Sequence, residues 1–222
     1  MNLALTSSRL LFTALITSLL SALVMLPALA VHQLQTWRHT SPQGATYTYV
    51  YPQLPGKPTL NAKLKAAYLP TNAHIKDIDD LLIELAHEDG PTSSYDEEIT
   101  GRVTLHNARV ISVHYLGLGV LTPSAHPSKI IGALSLDLKT GRVLKLKDII
   151  KPGALPLVKQ AAIQALEPTL ETGDIPEVSQ AKDFDFYLTP KALVLINLFE
   201  SHAIASVEAE IPRAKLKGKL LY

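Results

Sequence analysis

The pattern of hydrophobic and polar positions changes several times along the chain, and each change predicts an element. Residues 10–26 read LLFTALITSLLSALVML and contain no charged residue. Residues 45–51 read ATYTYVY, in which tyrosines alternate with small or β-branched residues, so a strand with one aromatic face is predicted. In residues 60–69 and 75–90 the apolar positions recur at helical spacing, which predicts two helices.

From residue 98 the apolar period changes to two, which predicts strands at 99–105, 110–118 and 130–138. Gly141 suits the positive φ of the turn that follows them. Helical spacing returns in residues 148–170, and strands are predicted at 184–188, 192–199 and 207–211. Because hairpins dominate the connections, we expect an α+β fold with mainly antiparallel sheet and packed helices.

The first 30 residues predict a secretory signal peptide. Arg9 precedes the apolar run, and Ala28-Leu29-Ala30 follows it with the small residues of a cleavage site. We expect cleavage after Ala30 and a periplasmic or secreted protein. The alternative is an uncleaved anchor formed by residues 10–26, since 17 apolar residues lie at the lower limit for spanning a bilayer.

The amino-acid composition argues against several classes of function. The formal net charge of the 222 residues is only +1, so the broad basic surface of a general nucleic-acid or acidic-lipid binder is not expected. Because the chain has no cysteine, disulfides, cysteine zinc sites and cysteine nucleophiles are excluded. The hydrophobic share of 47% is enough for a globular core.

Candidate catalytic and metal-binding residues are sparse. The eight histidines form no H-E-x-x-H pattern, and we expect no metal and no cofactor. Ser124 and His126 lie two positions apart, and Asp137 follows, which leaves a hydrolase as one alternative. No G-x-S-x-G elbow surrounds any serine. The acidic residues 96–98 precede a strand and are interpreted as a hydrophilic turn, rather than as paired catalytic carboxylates.

Short motifs along the chain resemble, in order, those of a bacterial extracytoplasmic domain of unknown function. This domain occurs in the C-terminal part of lysozyme-sensing anti-sigma-V factors (RsiV-like proteins) and beside polysaccharide deacetylase domains. The matching segments are Ala125-His126-Pro127, residues 136–141 (LDLKTG, with Asp137, Thr140 and Gly141), residues 146–149 (LKDI, with Asp148), residues 186–189 (FYLT) and residues 211–216 (IPRAKL). Residues 50–56 (VYPQLPG) and Asn61 resemble the companion domain that usually precedes it.

The resemblance implies a division of the chain and a function. We expect a signal peptide at 1–30, a flexible lead-in at 31–44, a companion subdomain at 45–95 and an RsiV-like domain at 96–222. It implies an exported, non-catalytic, sensor-like binding module whose partner is a lysozyme-type muramidase or a cell-wall glycan. A structural protein of the envelope, anchored by its N-terminal helix, is a further alternative.

The loop before the predicted strand at 130–138 holds two of the three candidate ligand-binding residues, Ser124 and His126, and the third, His202, lies in a later loop. Ser124 stands where the family has a glycine before Ala-His-Pro, so the loop is expected to bend less tightly. We expect His126 to order the entry to the hairpin by hydrogen bonding, beside Pro127, which fixes the local backbone. A ligand-facing role for Ser124, His126 and His202 is the alternative.

Overall fold

The computed structural model describes residues 32–89, 93–123, 127–166, 184–198 and 207–222. These ranges hold eight strands, four α-helices and one 3-10 helix. In chain order they are β1 (Gln33–Thr40), β2 (Thr46–Gln53), α1 (Pro58–Tyr68), α2 (Asn72–Asp89), β3 (Ser94–His106), β4 (Val110–Thr122), β5 (Ser128–Asp137), α3 (Leu146–Ile149), α4 (Leu155–Leu166), β6 (Asp185–Leu188), β7 (Ala192–Ile196), β8 (Ala209–Pro212) and a 3-10 helix (Arg213–Leu216).

The strands form two sheets. The larger sheet has the order β1-β2-β3-β4-β5 and the smaller has the order β6-β7-β8. Neighbouring strands are antiparallel, except that β2 and β3 are parallel. The predicted α+β class with mainly antiparallel sheet is therefore confirmed.

One core lies between the larger sheet and helices α1 and α2. The alternation in β2 and β3 turns one set of side chains toward the helices, as a period of two requires. The aromatic face predicted for residues 45–51 is confirmed, because its three tyrosines are buried there. The buried members of this core are Ala45, Tyr47, Tyr49, Tyr51, Leu54, Leu60, Leu64, Tyr68, Leu82, Tyr95, Ile99, Ile111, Val113, Leu134 and Leu136.

The smaller sheet packs on the opposite face of the larger one, over the ends of β4 and β5. Ser112 of β4 and Ser135 of β5 share a hydrogen bond of 2.8 Å, and Ser112 Oγ accepts the backbone N–H of Leu188 in β6 at 2.8 Å. Helix α4 packs on β8 and closes a second apolar core. This packing covers only part of the face and leaves the rest of it open.

Two features of the predicted domain division differ from the structure. Residues 33–40 of the predicted flexible lead-in form β1, which pairs with β2 along its whole length. Apart from Trp37 and His39 this strand is exposed, so no alternation of apolar residues marks it in the sequence. The boundary near residue 95 is not a boundary of packing either, since β2 and β3 lie side by side in one sheet.

The predicted helix over 148–170 begins earlier and is interrupted. A single turn forms α3, and α4 begins only at Leu155. Between them Gly153 adopts a φ of +77°, which an uninterrupted α-helix does not allow. None of the helices in the described ranges combines the length and the apolar character needed to cross a bilayer.

Candidate functional site

A groove of about 660 Å3 lies on the uncovered part of the larger sheet. Its lining residues on β2, β3 and β4, other than Glu97 and Gly117, alternate with those that face the helices, so they share the opposite face. We call it the open-face groove. It is lined by Thr46, Thr48, Asp96, Glu97, Glu98, Thr100, Leu116, Gly117, Leu118, Val120, Lys129 and Glu208. No function is predicted for any of these positions from the sequence.

An apolar stripe runs along the floor of the groove on β4. Leu116, Leu118 and Val120 are 44%, 45% and 39% exposed, although each is a large hydrophobic residue on a central strand. Scattered exposed apolar residues are ordinary, whereas a contiguous row of them in a concavity marks a binding surface. The stripe is therefore the feature that most clearly separates this face from the rest of the described surface.

The glycines between these residues have a packing role on the other face. A Cβ on Gly117 would overlap Ile99 and the backbone of β3, and a Cβ on Gly119 would overlap the ring of Tyr95. The G-L-G segment thus permits close approach of β3 side chains, which is a common role of a glycine within a strand.

The charged residues that line the groove are mostly acidic. Asp96, Glu98 and Glu208 carry carboxylates, and Lys129 carries the one ammonium group among the lining residues. Asp96 is held in place because Thr46 Oγ1 donates a hydrogen bond to it. The groove therefore combines an apolar floor with an excess of negative charge.

The inner end of the groove meets a cluster under the smaller sheet. Glu208 Oε2 accepts a hydrogen bond of 2.8 Å from the hydroxyl of Tyr187, and Glu208 Oε1 lies 3.4 Å from His114 Nε2. The His114 ring stacks on the Tyr187 ring, with centroids 4.4 Å apart. Burial lowers the pKa of His114, although the negative charge of Glu208 opposes that change. Burial, followed by the bond to Glu208, raises the pKa of Tyr187 to about 12.

A second polar cluster lies inside the core, around Glu97. This carboxylate is only 3% exposed. Tyr49 and Tyr95 both donate hydroxyl hydrogen bonds to it, the second at 2.6 Å, and His74 Nε2 of α2 lies 2.9 Å from Oε2. Burial raises the pKa of both tyrosines, and the bonds to Glu97 raise it further. The arrangement ties α2 to β3 and supplies the buried carboxyl group with hydrogen-bond partners, as a buried polar group requires.

The position of Glu97 shows that one interpretation of the sequence was wrong. Residues 96–98 were expected to form a hydrophilic turn, but they belong to β3, with Asp96 and Glu98 on the groove face and Glu97 facing the helices. The alternation itself was available from the sequence. What was missing was the pair of tyrosine contacts that makes a buried carboxylate tolerable. Tyr49 lies on the adjacent strand β2, and Tyr95 lies two positions before Glu97 on the same face of β3.

The predicted loop residues fall largely outside the described ranges. Ser124, Ala125, His126 and His202 lie outside them, so their predicted roles stay predictions. Pro127 is described and directly precedes β5.

Asp137, the third member of the hydrolase alternative, is engaged in the turn. Its Oδ1 accepts the backbone N–H groups of Lys139 and Thr140 at 2.9 and 2.7 Å and the Thr140 hydroxyl at 3.0 Å. These bonds hold the pKa of Asp137 below its usual range. Its Oδ2 accepts the hydroxyl of Tyr222 at 3.3 Å.

The other motif residues also serve the local fold. Gly141 adopts a φ of +65°, as the turn requires, and its carbonyl accepts a hydrogen bond of 2.7 Å from Lys63 Nζ. Asp148 accepts the backbone N–H of Lys145 at 2.9 Å at the start of α3, and Arg142 donates to its other oxygen at 2.9 Å. The shared segment therefore builds a turn and a helix start. Within the described ranges, no three histidine or carboxylate side chains come close enough together to hold a metal ion.

Comparison with known proteins identifies relatives of the fold. Neither the models of protein families nor the curated proteins give a match. Among solved structures, a DUF3298 family protein from Pseudomonas aeruginosa PAO1 matches with a TM-score of 0.57 and 17% identity, over 85% of this chain and 93% of that one. A member of the same family from Bacteroides fragilis NCTC 9343 matches with a TM-score of 0.57 and 15% identity, over 87% and 95%. At these identities the comparison shows that the chain shares its fold with proteins of a family whose name denotes a domain of unknown function.

Proposed function

We propose that this protein is an exported, non-catalytic binding module of the cell envelope, and that its open-face groove binds a cationic segment of a partner protein. The observation that carries the proposal is the exposed apolar stripe of Leu116, Leu118 and Val120 beside an excess of carboxylates. Apolar contacts supply affinity on binding, and complementary charge supplies orientation and association rate.

The same groove helps to distinguish the two partner classes that the resemblance implies. A glycan strand would use hydroxyl and amide groups and would gain little from three adjacent leucine and valine side chains. A protein segment with alternating basic and apolar residues would bury the stripe and pair with Asp96 and Glu98. The groove therefore favours a cationic protein, such as a lysozyme-type muramidase, as its occupant.

The contacts of Asp137 support a non-catalytic role. A Ser124/His126 hydrolase would need Asp137 to orient the imidazole, as the third member of a triad does. That carboxylate instead accepts three hydrogen bonds from its own turn and one from Tyr222. The Asp137 carboxylate, which the hydrolase alternative requires as the partner of His126, is thus hydrogen-bonded within its own turn.

A binding titration tests the proposal. The protein as recovered from expressing cells would be titrated calorimetrically with a cationic lysozyme and, separately, with soluble peptidoglycan fragments. Glu98→Lys should weaken lysozyme binding about tenfold, corresponding to about 1.4 kcal/mol, because it reverses a charge in the groove. Leu118→Ala should weaken it through lost apolar contact. Glu84→Lys is the matched control, since Glu84 is an exposed residue of α2, on the other side of the sheet.

Absence of lysozyme binding, or equal loss in Glu84→Lys and Glu98→Lys, would count against the groove. Mass spectrometry of the same preparation tests the export component. A mature N-terminus at Val31 supports the secreted form, whereas one at Met1 supports the anchored form.

A further inference from the structure

A second concave surface lies on the helix side of the larger sheet, between β1 and the first turns of α2. It encloses about 460 Å3, within the range of small-molecule pockets. Trp37 and His39 contribute to it from β1, and Asn72, Lys76 and Asp79 contribute from α2. We call it the Trp37 cavity. It is separate from the open-face groove, because Trp37 and His39 pair with the helix-facing Tyr49 and Tyr47 rather than with Thr46 and Thr48.

The aromatic part of this cavity is held in a fixed orientation. The rings of Trp37 and His39 stack with centroids 5.5 Å apart and planes 16° apart. The Trp37 ring also lies 5.6 Å from the Tyr49 ring, centroid to centroid, with the two planes 79° apart. Because these neighbours restrain the indole before any ligand arrives, binding against it costs little side-chain entropy. Trp37 remains only half-buried, so the cavity can reach its ring.

The polar part of the cavity is also arranged in advance. Ser41 Oγ donates a hydrogen bond to Asp79, and the same oxygen accepts the backbone N–H of Ala45 at 3.1 Å, which fixes the carboxylate. Thr71 Oγ1 accepts the backbone N–H of His74 at 3.1 Å, so the cap of α2 does not use the Asn72 amide. The cavity thus offers a carboxylate acceptor, an ammonium donor on Lys76, and an amide that both donates and accepts.

We propose that the Trp37 cavity binds one ring of a neutral saccharide. A sugar ring has an apolar face of C–H groups that packs on an aromatic ring, and an edge of hydroxyls that donate and accept hydrogen bonds. The cavity presents the matching pair of surfaces. The lining residues carry one ammonium group and one carboxylate, and Lys76 Nζ is already paired with Asp80 one turn further along α2, so the cavity holds no unpaired cation for an anionic ligand. This inference does not rest on the groove or on the partner proposed for it.

The chain provides its own probe, because Trp37 is its only tryptophan. Emission of the full-length protein would be followed during titration with N-acetylglucosamine trimer and with cellotriose. Adenosine serves as a comparison, since a flat aromatic base would stack on the indole without needing the hydroxyl-binding groups. A saturable change in emission with at least one oligosaccharide and not with adenosine is the expected result. No saturable change with either saccharide, or a change with adenosine alone, overturns the proposal.

Variants assign the binding to the cavity by calorimetry with the saccharide that responds. Trp37→Ala should abolish the binding heat. Asn72→Ala and Asp79→Asn should each weaken binding at least about fivefold, the effect of losing one hydrogen bond. Arg38→Ala is the matched control, since Arg38 lies between Trp37 and His39 in β1 and belongs to the opposite face.

Two further measurements distinguish failure of the saccharide site from misfolding of a variant and from failure of the groove. If Trp37→Ala fails to fold, exposed Asn72 still carries the test, and unchanged binding in Asn72→Ala and Asp79→Asn overturns the proposal. Glu98→Lys in the groove should leave the saccharide titration unchanged. Failure of the saccharide site and failure of the groove proposal are therefore distinguishable.

Discussion

Replacing Glu97 by leucine tests whether the buried carboxylate is required by its surroundings. The substitution removes the acceptor for the Tyr49 and Tyr95 hydroxyls and leaves both donors in the core. A buried donor without a partner costs about 1–3 kcal/mol, so two of them are expected to cost about 2–6 kcal/mol. That loss is a large share of the 5–15 kcal/mol that stabilises a typical domain.

Urea denaturation followed by circular dichroism measures the effect, with the free energy of unfolding extrapolated linearly to water. Glu98→Leu is the matched control, because Glu98 is the next residue of β3 and its side chain faces the open groove. We expect the control to change the free energy of unfolding by no more than about 0.5 kcal/mol, as is usual for exposed sites.

Removing the donors together with the acceptor should restore stability. In the triple variant Glu97→Leu, Tyr49→Phe and Tyr95→Phe no hydroxyl is left without a partner, and replacing both sides of a buried hydrogen bond is nearly neutral. The triple variant should therefore be more stable than Glu97→Leu alone. The reasoning is refuted if Glu97→Leu unfolds at the wild-type urea concentration, or if the three substitutions destabilise additively.

Three further predictions concern packing and pH. Gly132→Ala should lower the stability to urea by about 1–3 kcal/mol, because the new methyl group would overlap the ring of Tyr115. Burial lowers the pKa of His114, so this side chain stays neutral in the folded protein at a pH where the unfolded chain takes up a proton. The free energy of unfolding should therefore fall as the pH drops below 6.5, the ordinary pKa of histidine. The urea midpoint of His114→Phe should fall less than that of the wild type between about pH 7 and 5. Asp137, whose pKa its turn lowers, contributes stability above its ordinary pKa of 3.8, and Asp137→Ala should remove this contribution and flatten the acid limb of thermal melts.

The strands that were predicted correctly are those whose two faces differ. β3 alternates between buried and exposed positions over most of its length, and β4 alternates between exposed and less exposed positions from Tyr115 onward. The turn that follows β5 carries its own signal in Asp137 and Gly141. β1 escaped prediction because it lies at the edge of the sheet and is covered on neither face except at Trp37 and His39. A local pattern cannot indicate a strand that is exposed on both faces, because no alternation of apolar and polar residues then marks it in the sequence.

The candidate sites depend on contacts that no local pattern contains. The open-face groove exists because the smaller sheet covers one end of the larger sheet and leaves the other end open. This packing depends on contacts between residues far apart in sequence, such as Ser112 and Leu188, which are 76 positions apart. His114 and Glu97 could be placed on strand faces from the sequence, but Tyr187 and Tyr49 lie on other strands, and Glu208 directly precedes β8. The motif residues Asp137 and Asp148 were visible because their partners are close in sequence.

The parallel contact between β2 and β3 has a consequence for how the chain can be divided. Residues 33–89 supply the only strand that covers the outer edge of β3, whose other neighbour is β4. A fragment beginning at β3 would leave residues 96–100 without the partner strand that β2 now provides, next to the buried carboxylate of Glu97. Such an edge pairs readily with a second copy of itself. The first third of the described chain therefore protects this edge of β3 from pairing with another molecule. A truncation at the predicted domain boundary should produce dimers and aggregates rather than a stable C-terminal domain.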